Sequence, residues 1–287
     1  MTQKERRLYL IRELLKEQPQ YRETEIPEDE DGQRRLLRSL FNVRMPRPAA
    51  RAFIEVQDAY LREEIRRKGI TELADLRQVQ EGVYLWKGDI TTLRCDAIVN
   101  AANSQMLGCF VPCHGCIDNA IHTFAGVQLR LACAELMRAQ GHEEEAGGAK
   151  ITPAFNLPCR YVLHTVGPVV GGLLTQKDRD LLASCYRSCL ELAGRNGIKS
   201  VAFCCISTGE FRFPVEKAAA IAIQTVKAYK ARTQSKTEVI FNVFRETDYA
   251  VYRALLGADG AAEGCAAQIH GKFMLFRLLF FADYIRI

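Results

Sequence analysis

A chain of 287 residues with 48% apolar and 25% charged side chains can bury one sizeable core plus a smaller appendage, which excludes disordered and fibrous classes. The formal charge of +5 is mild, and the arginines that follow the acidic stretch 28–31 leave that region nearly neutral. Nucleic-acid binders usually concentrate their basic residues in a patch. No nucleic-acid partner is therefore expected.

The N-terminal residues 1–7 lead into an amphipathic segment rather than a continuous apolar run, which argues against a secretory signal. The eleven cysteines are therefore expected to be reduced thiols of a cytoplasmic protein. Six of them have apolar neighbours and are predicted to be inert core thiols, namely Cys95, Cys133, Cys185, Cys189, Cys204 and Cys205.

Residues 1–80 are predicted to form a helical N-terminal extension. Apolar residues recur there at helical spacing, and the acidic stretch and the proline-containing segment 46–48 interrupt the pattern. The favoured interpretation is a helical cap that packs on the following domain. The stripes comprise Leu8, Ile11 and Leu15 in the first helix, and Phe53, Val56, Tyr60, Ile54, Leu61 and Ile65 in the third.

The pattern changes over residues 81–256 to short β-rich runs that alternate with helical stretches, which predicts a three-layer α/β/α domain. Strands are expected at 83–86, 97–99, 161–163, 201–203 and 239–241. Helices are expected at 117–139, 178–193, 215–231 and 246–255. Residues 257–287 are predicted to be a linker and an apolar tail, whose run at 273–281 is too short to span a bilayer.

Three cysteines and a histidine lie between Gly108 and Ile117, directly before a predicted helix that carries Asp118 and His122. Such a cluster predicts a zinc site. A closed structural site usually takes its four ligands from two separated pairs, whereas a run on one loop tends to leave a coordination position open. Two interpretations of Asp118 stay open: a charge that stabilises the helix N-terminus, or a catalytic or ribose-binding group. His122 lies one helical turn later, and it either orients the Asp118 carboxylate or satisfies a hydrogen bond in the core.

Polar, glycine-containing segments follow several predicted strands, at 88–91, 100–104 and 206–214. Ligands of α/β sheets bind beyond the carboxyl ends of the strands, and a glycine-containing turn at a helix N-terminus can hold a diphosphate. Each segment alone is also compatible with an ordinary turn or helix cap.

Taken in order, these segments resemble the macrodomain family, the ADP-ribose-binding α/β/α fold with a mixed central sheet. The resemblance covers roughly residues 82–256. It rests on the motifs at 88–90, 100–103, 117–122, 161–168 and 207–209.

The resemblance implies roles for particular residues. Asp89 would bind the adenine amino group with Ile90 beside it, and Phe244 would pack near the adenine. Asn103 would place the distal ribose, supported by Asn100. The diphosphate would be wrapped by a loop formed by Ser207, Thr208, Gly209, Glu210 and Phe211.

In most hydrolytic macrodomains a glycine-rich run precedes the aspartate-bearing helix, but here it is replaced by residues 109–116. The chain thus resembles the zinc-dependent bacterial and fungal branch, which implies one zinc ion per chain held by Cys109, His114 and Cys116, with Cys113 an open fourth candidate. The branch also implies an N-terminal helical extension. Its implied partners are a sirtuin-type ADP-ribosyltransferase and a lipoyl-carrier protein.

The expected activity is zinc-dependent hydrolysis that frees mono-ADP-ribose from an acidic side chain of a target protein. Zinc would lower the pKa of a ribose hydroxyl or a water, and Asp118 and Asn103 would be the catalytic side chains. Two alternatives stay open at this point: a non-catalytic reader of ADP-ribosylated proteins, and a protein in which all four candidate ligands close a structural zinc site.

Overall fold

The structure is a computed structural model that describes residues 1–257. The predicted apolar tail at 273–281 lies outside the described residues. Among the described residues, no helix is long and apolar enough to cross a membrane.

The chain begins with three helices, as the apolar stripes predict: α1 (Gln3–Glu17), α2 (Glu30–Val43) and α3 (Arg51–Lys68). Thr2 and Glu5 form a capping box at the start of α1, and Asp29 caps α2 by accepting from the Gly32 N–H. The three helices share a buried apolar cluster that also includes Val127 of the following domain. The extension therefore packs on that domain as a cap.

A seven-stranded mixed sheet forms the centre of the domain. In chain order the elements that follow α3 are β1 (Thr71–Glu72), β2 (Gln78–Gln80), β3 (Val83–Lys87), β4 (Leu93–Arg94), β5 (Ala97–Ala102), α4 (Ile117–Ala125), α5 (Val127–Gln140), β6 (Ala149–Pro153), β7 (Tyr161–Val166), α6 (Gln176–Arg195), β8 (Ser200–Phe203), α7 (Val215–Thr233), β9 (Glu238–Val243) and α8 (Glu246–Gly257). The sheet has the order β2-β3-β9-β8-β5-β7-β6; its five inner strands are parallel, and the edge strands β2 and β6 are antiparallel to their neighbours. The short strands β1 and β4 form a separate parallel pair.

Helices cover the sheet, so its inner strands are buried along almost their whole length. The α/β architecture with a mixed central sheet, predicted from the sequence, is confirmed. The carboxyl ends of β3, β5, β7, β8 and β9 all lie at one edge, because these strands are parallel. The polar segments that follow them therefore meet there.

Several details differ from the sequence predictions. The helix predicted over 117–139 is two helices, α4 and α5, separated at Gly126, whose φ of 96° disfavours a side chain. A Cβ at Gly126 would also come within 2.6 Å of Gln57 Nε2 of the extension. The strand predicted at 161–163 continues to Val166, so His164 lies inside β7 and is fully buried. The short strands β1, β2, β4 and β6 were not predicted, and β1 and β2 lie within residues 71–80 of the predicted helical extension.

Candidate active site

Asp89 follows the carboxyl end of β3. Its carboxylate accepts from the Thr91 N–H at 3.0 Å and the Thr91 hydroxyl at 2.6 Å, and from Lys68 Nζ at 2.8 Å. Burial opposes ionisation of Asp89, but the hydrogen bonds from Lys68 and Thr91 outweigh it and hold its pKa below the usual value. Asp89 is therefore an ionised acceptor, with Ile90 buried beside it.

An exposed aromatic side chain follows β9, the strand that pairs with β3. Lys87 of β3 pairs with Val243 of β9, so Asp89 and Phe244 leave the sheet from neighbouring positions. Phe244 is 77% exposed, which is unusual for a large apolar side chain and leaves its ring free to stack on an aromatic ligand. The two residues assigned to the adenine by resemblance thus follow the carboxyl ends of neighbouring strands.

The end of β5 carries two asparagines with different environments. Asn100 is fully buried; its amide nitrogen donates to Asp118 Oδ1 at 2.7 Å and lies 3.2 Å from His164 Nδ1. Asn103 donates to the Gly108 carbonyl at 3.2 Å. Asn103 Oδ1 is buried and has no partner, so it is an unused acceptor at the edge of the 109–116 loop.

Asp118 lies in the first turn of α4, whose N-cap is Cys116. Burial raises the pKa of Asp118 to about 6, against the hydrogen bond from Asn100 that favours the charged form. His122 Nε2 is 3.5 Å from Asp118 Oδ1, within ion-pair range, yet neither ring nitrogen of His122 makes a hydrogen bond. Burial holds the pKa of His122 well below its usual value and keeps the ring neutral, so this contact is not an ion pair. His122 instead packs under Gly108, where a Cβ would come 2.7 Å from its ring.

The 109–116 loop brings three candidate ligands together. The ligand atoms of Cys109, His114 and Cys116 all lie within 4.8 Å of one another, and Cys109 Sγ is 3.6 Å from His114 Nδ1. Two thiols and an imidazole are donors that zinc prefers. Burial raises the pKa of Cys116, and the nearby Cys109 and Asp118 add to this effect. The donor set of two thiols and one imidazole fits a zinc ion with three protein ligands.

Cys113 lies apart from this group. Its backbone is left-handed, with φ 53°, and its N–H donates to Asn42 Oδ1 at 2.9 Å. Its sulfur faces helix α2, 3.2 Å from Ser39 Oγ and 3.4 Å from the Arg35 carbonyl. The conformation thus directs the fourth candidate ligand towards the extension.

Two arginines fix the 109–116 loop from outside, and sequence reasoning missed both. Arg38 of α2 donates to the His114 carbonyl at 2.9 Å and to Asn119 Oδ1 at 2.8 Å. Arg130 of α5 is buried and donates to the Leu107 carbonyl at 2.7 Å and to the carbonyls of residues 41, 42 and 44 at the end of α2. Burial lowers the pKa of Arg130 to about 10, so it stays charged at neutral pH. The helical extension is therefore part of the loop's support.

The 207–211 loop follows β8 and closes on itself before α7. Ser207 has φ 64°, and its carbonyl accepts from the Phe213 N–H at 2.9 Å, while the Gly209 carbonyl accepts from the Arg212 N–H at 2.9 Å. The loop also needs a glycine opposite it, because a Cβ at Gly167 would come 2.0 Å from Ser207 Oγ. The side chain of Glu210 is 74% exposed on this loop, with Thr208 and Phe211 on either side of the Gly209-Glu210 pair.

A second group of possible metal donors lies in the core, formed by His122, Cys133 and His164. His164 already has partners: its Nε2 is 2.9 Å from Thr152 Oγ1, and its Nδ1 faces Asn100. Burial lowers the pKa of His164 to about 4 and raises that of Cys133 to about 12, so both are neutral. These residues form a polar cluster of the core. Burial likewise raises the pKa of the other five cysteines predicted to be inert.

Comparison with known proteins places this geometry in a family. Residues 99–222 match the Macro domain family. A protein-ADP-ribose hydrolase of Treponema medium is 61% identical over 260 residues, covering 89% of this chain and 100% of that protein. A protein-ADP-ribose hydrolase of Staphylococcus aureus (strain MSSA476) is 46% identical over 260 residues, covering 90% of this chain and 97% of that protein.

Among solved structures, the Trypanosoma brucei macrodomain in complex with ADP-ribose is 30% identical, with a TM-score of 0.60, and the match covers 77% of this chain and 95% of that one. The family match runs from β5 to α7 and so contains the asparagine motif, the 109–116 loop and the 207–211 loop. Likeness of this extent, in sequence and in fold, reflects common ancestry. The chain belongs to the macrodomain family.

Proposed function

We propose that this protein is a zinc-dependent protein-ADP-ribose hydrolase that releases mono-ADP-ribose from an acidic side chain of a target protein. The single observation that carries the proposal is the group of Cys109, His114 and Cys116, whose ligand atoms lie within 4.8 Å of one another beside the buried Asp118. The names of the Treponema and Staphylococcus relatives support the hydrolase activity. The zinc ion and the ester linkage rest on the ligand chemistry and the family resemblance.

Residues along the sheet edge would bind the ADP-ribose part of the substrate. Asp89 is an ionised acceptor suited to the adenine amino group, and the exposed ring of Phe244 can stack on the base. The backbone of the 207–211 loop would hold the diphosphate through its N–H groups. Asn103, with its unpartnered Oδ1, would accept a hydroxyl of the distal ribose. With these contacts, the scissile bond would lie near the 109–116 loop.

Asp118 would position the nucleophile and accept its proton. Asn100 occupies Oδ1 of Asp118, which leaves Oδ2 as the oxygen that can accept. Cys109, His114 and Cys116 would hold the zinc ion, which would supply Lewis-acid chemistry beside Asp118. Asn100 in turn fixes the carboxylate from inside the core, so that the side chain needs no reorganisation during the reaction.

The proposal is tested by offering the purified protein targets that carry mono-ADP-ribose on acidic, arginine or serine side chains, with and without a zinc chelator. We expect free ADP-ribose only from the acidic conjugate and only without chelator. Binding of every conjugate without release would instead identify a reader, and release from arginine or serine would refute the ester specificity.

Two further parts of the proposal rest on the family resemblance alone: a lipoyl-carrier protein as the modified target and a sirtuin-type ADP-ribosyltransferase as the enzyme that modifies it. A cytoplasmic location is also proposed, and it rests on the eleven cysteines read as reduced thiols. Release of ADP-ribose from a modified lipoyl-carrier protein, compared with another protein modified on acidic residues, tests the target.

A further inference from the structure

The two ring nitrogens of His114 face different parts of the site. Nδ1 lies 3.6 Å from Cys109 Sγ, whereas Nε2 lies 3.5 Å from Glu210 Oε1. The Nδ1 edge of the ring thus faces the thiols, and the Nε2 edge faces the 207–211 loop. His114 is the point at which the metal-binding loop and the loop assigned to the diphosphate meet.

This arrangement decides which nitrogen can bind the metal. Nδ1 faces the Cys109 sulfur and Nε2 faces Glu210, so Nε2 carries the proton when Nδ1 binds the metal. A ligating histidine usually donates its other N–H to a carboxylate or carbonyl, which fixes the orientation of the ring and raises its basicity. The contact of 3.5 Å is longer than a normal hydrogen bond, and a small rotation of the exposed Glu210 side chain would bring the two atoms within hydrogen-bond distance.

We propose that Glu210 is a positioning residue for His114, with its carboxylate accepting the Nε2–H and holding Nδ1 towards the metal. The inference rests on the proposed function, because it assumes that the 109–116 loop holds zinc. It gives Glu210 a role other than the diphosphate contact expected from the resemblance.

The charge of Glu210 supports this assignment. An ionised carboxylate on a loop that wraps a diphosphate repels the ligand. When Glu210 pairs with the imidazole of His114, its carboxylate points towards the metal site and away from the diphosphate. The acidic side chain is then compatible with the loop that carries it.

The same contact couples the two ligands. Zinc would draw Glu210 towards His114, which removes a repulsive charge from the diphosphate site. By linkage, bound ADP-ribose must raise the affinity for zinc by the same factor. In the metal-free protein Glu210 repels the ligand, so Glu210→Ala should tighten binding of ADP-ribose there while weakening the binding of zinc.

The experiment measures the zinc dissociation constant by competition with a chromogenic chelator, with and without ADP-ribose. Glu210→Ala should weaken zinc binding about ten- to a hundredfold, as is typical when a carboxylate that supports a metal-binding histidine is lost. Glu210→Gln should recover part of the affinity, because its amide oxygen accepts the same hydrogen bond. Glu216→Ala removes an exposed acid from the start of α7 and should leave the affinity unchanged.

ADP-ribose should increase zinc affinity several-fold in the unmodified protein and less in Glu210→Ala. Unchanged zinc affinity in Glu210→Ala, with zinc bound by the unmodified protein, overturns the role of Glu210 and leaves the proposed function standing. Zinc absent from the unmodified protein overturns both. Thermal unfolding of the metal-free variants separates a lost contact from a lost fold, because an intact variant unfolds at the temperature of the metal-free unmodified protein.

Discussion

Replacing Asp89 by alanine should weaken binding of ADP-ribose and leave the metal site intact. Asp89 is ionised, and a hydrogen bond to a charged acceptor is worth roughly 1.5 to 3 kcal/mol, or about ten- to a hundredfold in affinity. The side chain is 36% exposed, so water screens the contact, and we expect the lower end of that range, about tenfold. Zinc content should not change, because Asp89 follows β3 whereas the ligands follow β5.

Calorimetry with ADP-ribose and with its hypoxanthine analogue makes the assay specific. The analogue lacks the exocyclic amino group, so the unmodified protein should bind it more weakly, whereas Asp89→Ala should bind both ligands equally.

Lys68→Met provides the matched control. It keeps the Asp89 carboxylate but removes the ammonium that lies 2.8 Å from it and 3.3 Å from the Phe124 ring centre. Affinity should fall only a few-fold, and discrimination between the two bases should remain. If Asp89→Ala binds ADP-ribose as tightly as the unmodified protein, Asp89 does not contact the adenine.

Two other predictions concern the metal loop and the core. Zinc content, measured by mass spectrometry, should fall in Cys109→Ala, His114→Ala and Cys116→Ala. It should fall less in Cys113→Ala, because the sulfur of Cys113 faces α2. A Cys113→Ala protein that holds as little zinc as the other three variants would contradict this. Burial lowers the pKa of His164 to about 4. As pH falls, this imidazole therefore takes up its proton in the unfolded chain before it does so in the folded protein. The stability that the neutral ring contributes is present above about pH 6.5 and is lost as pH falls towards 4, by up to about 1.4 kcal/mol per pH unit. Denaturant unfolding should show that the free energy of unfolding depends less on pH in His164→Gln than in the unmodified protein over this window. An equal pH dependence in both proteins would refute the lowered pKa of His164.

The central strands could be predicted from the sequence because a parallel strand buried on both faces is a continuous apolar run, as in β8. The edge strands could not, since β2 reads Gln78-Val79-Gln80 and is mostly exposed. The break between α4 and α5 was hidden because a lone Gly126 does not interrupt the apolar periodicity around it. The two helices separate there for a tertiary reason, the close approach of Gln57.

The candidate site also contains residues that the sequence predicts and residues that it does not. Residues whose chemistry is local in sequence, such as Cys109, His114 and Cys116, are apparent from their spacing. Their supports are not, because the contact of Arg130 with the end of α2 joins residues more than eighty positions apart. Such contacts follow from how the extension packs on the domain and leave no pattern in the local sequence.

The central claim is that zinc and Asp118 perform the chemistry while other residues bind the ligand. Release of ADP-ribose from an acidic-residue conjugate, measured beside calorimetric binding of free ADP-ribose, tests it in chelated protein and in Asp118→Ala. Both should lose turnover while still binding ADP-ribose through Asp89 and the 207–211 loop, since interactions specific to the transition state set the chemical rate. Hydrolysis at the full rate by chelated, folded protein would show that zinc is structural and contradict the account.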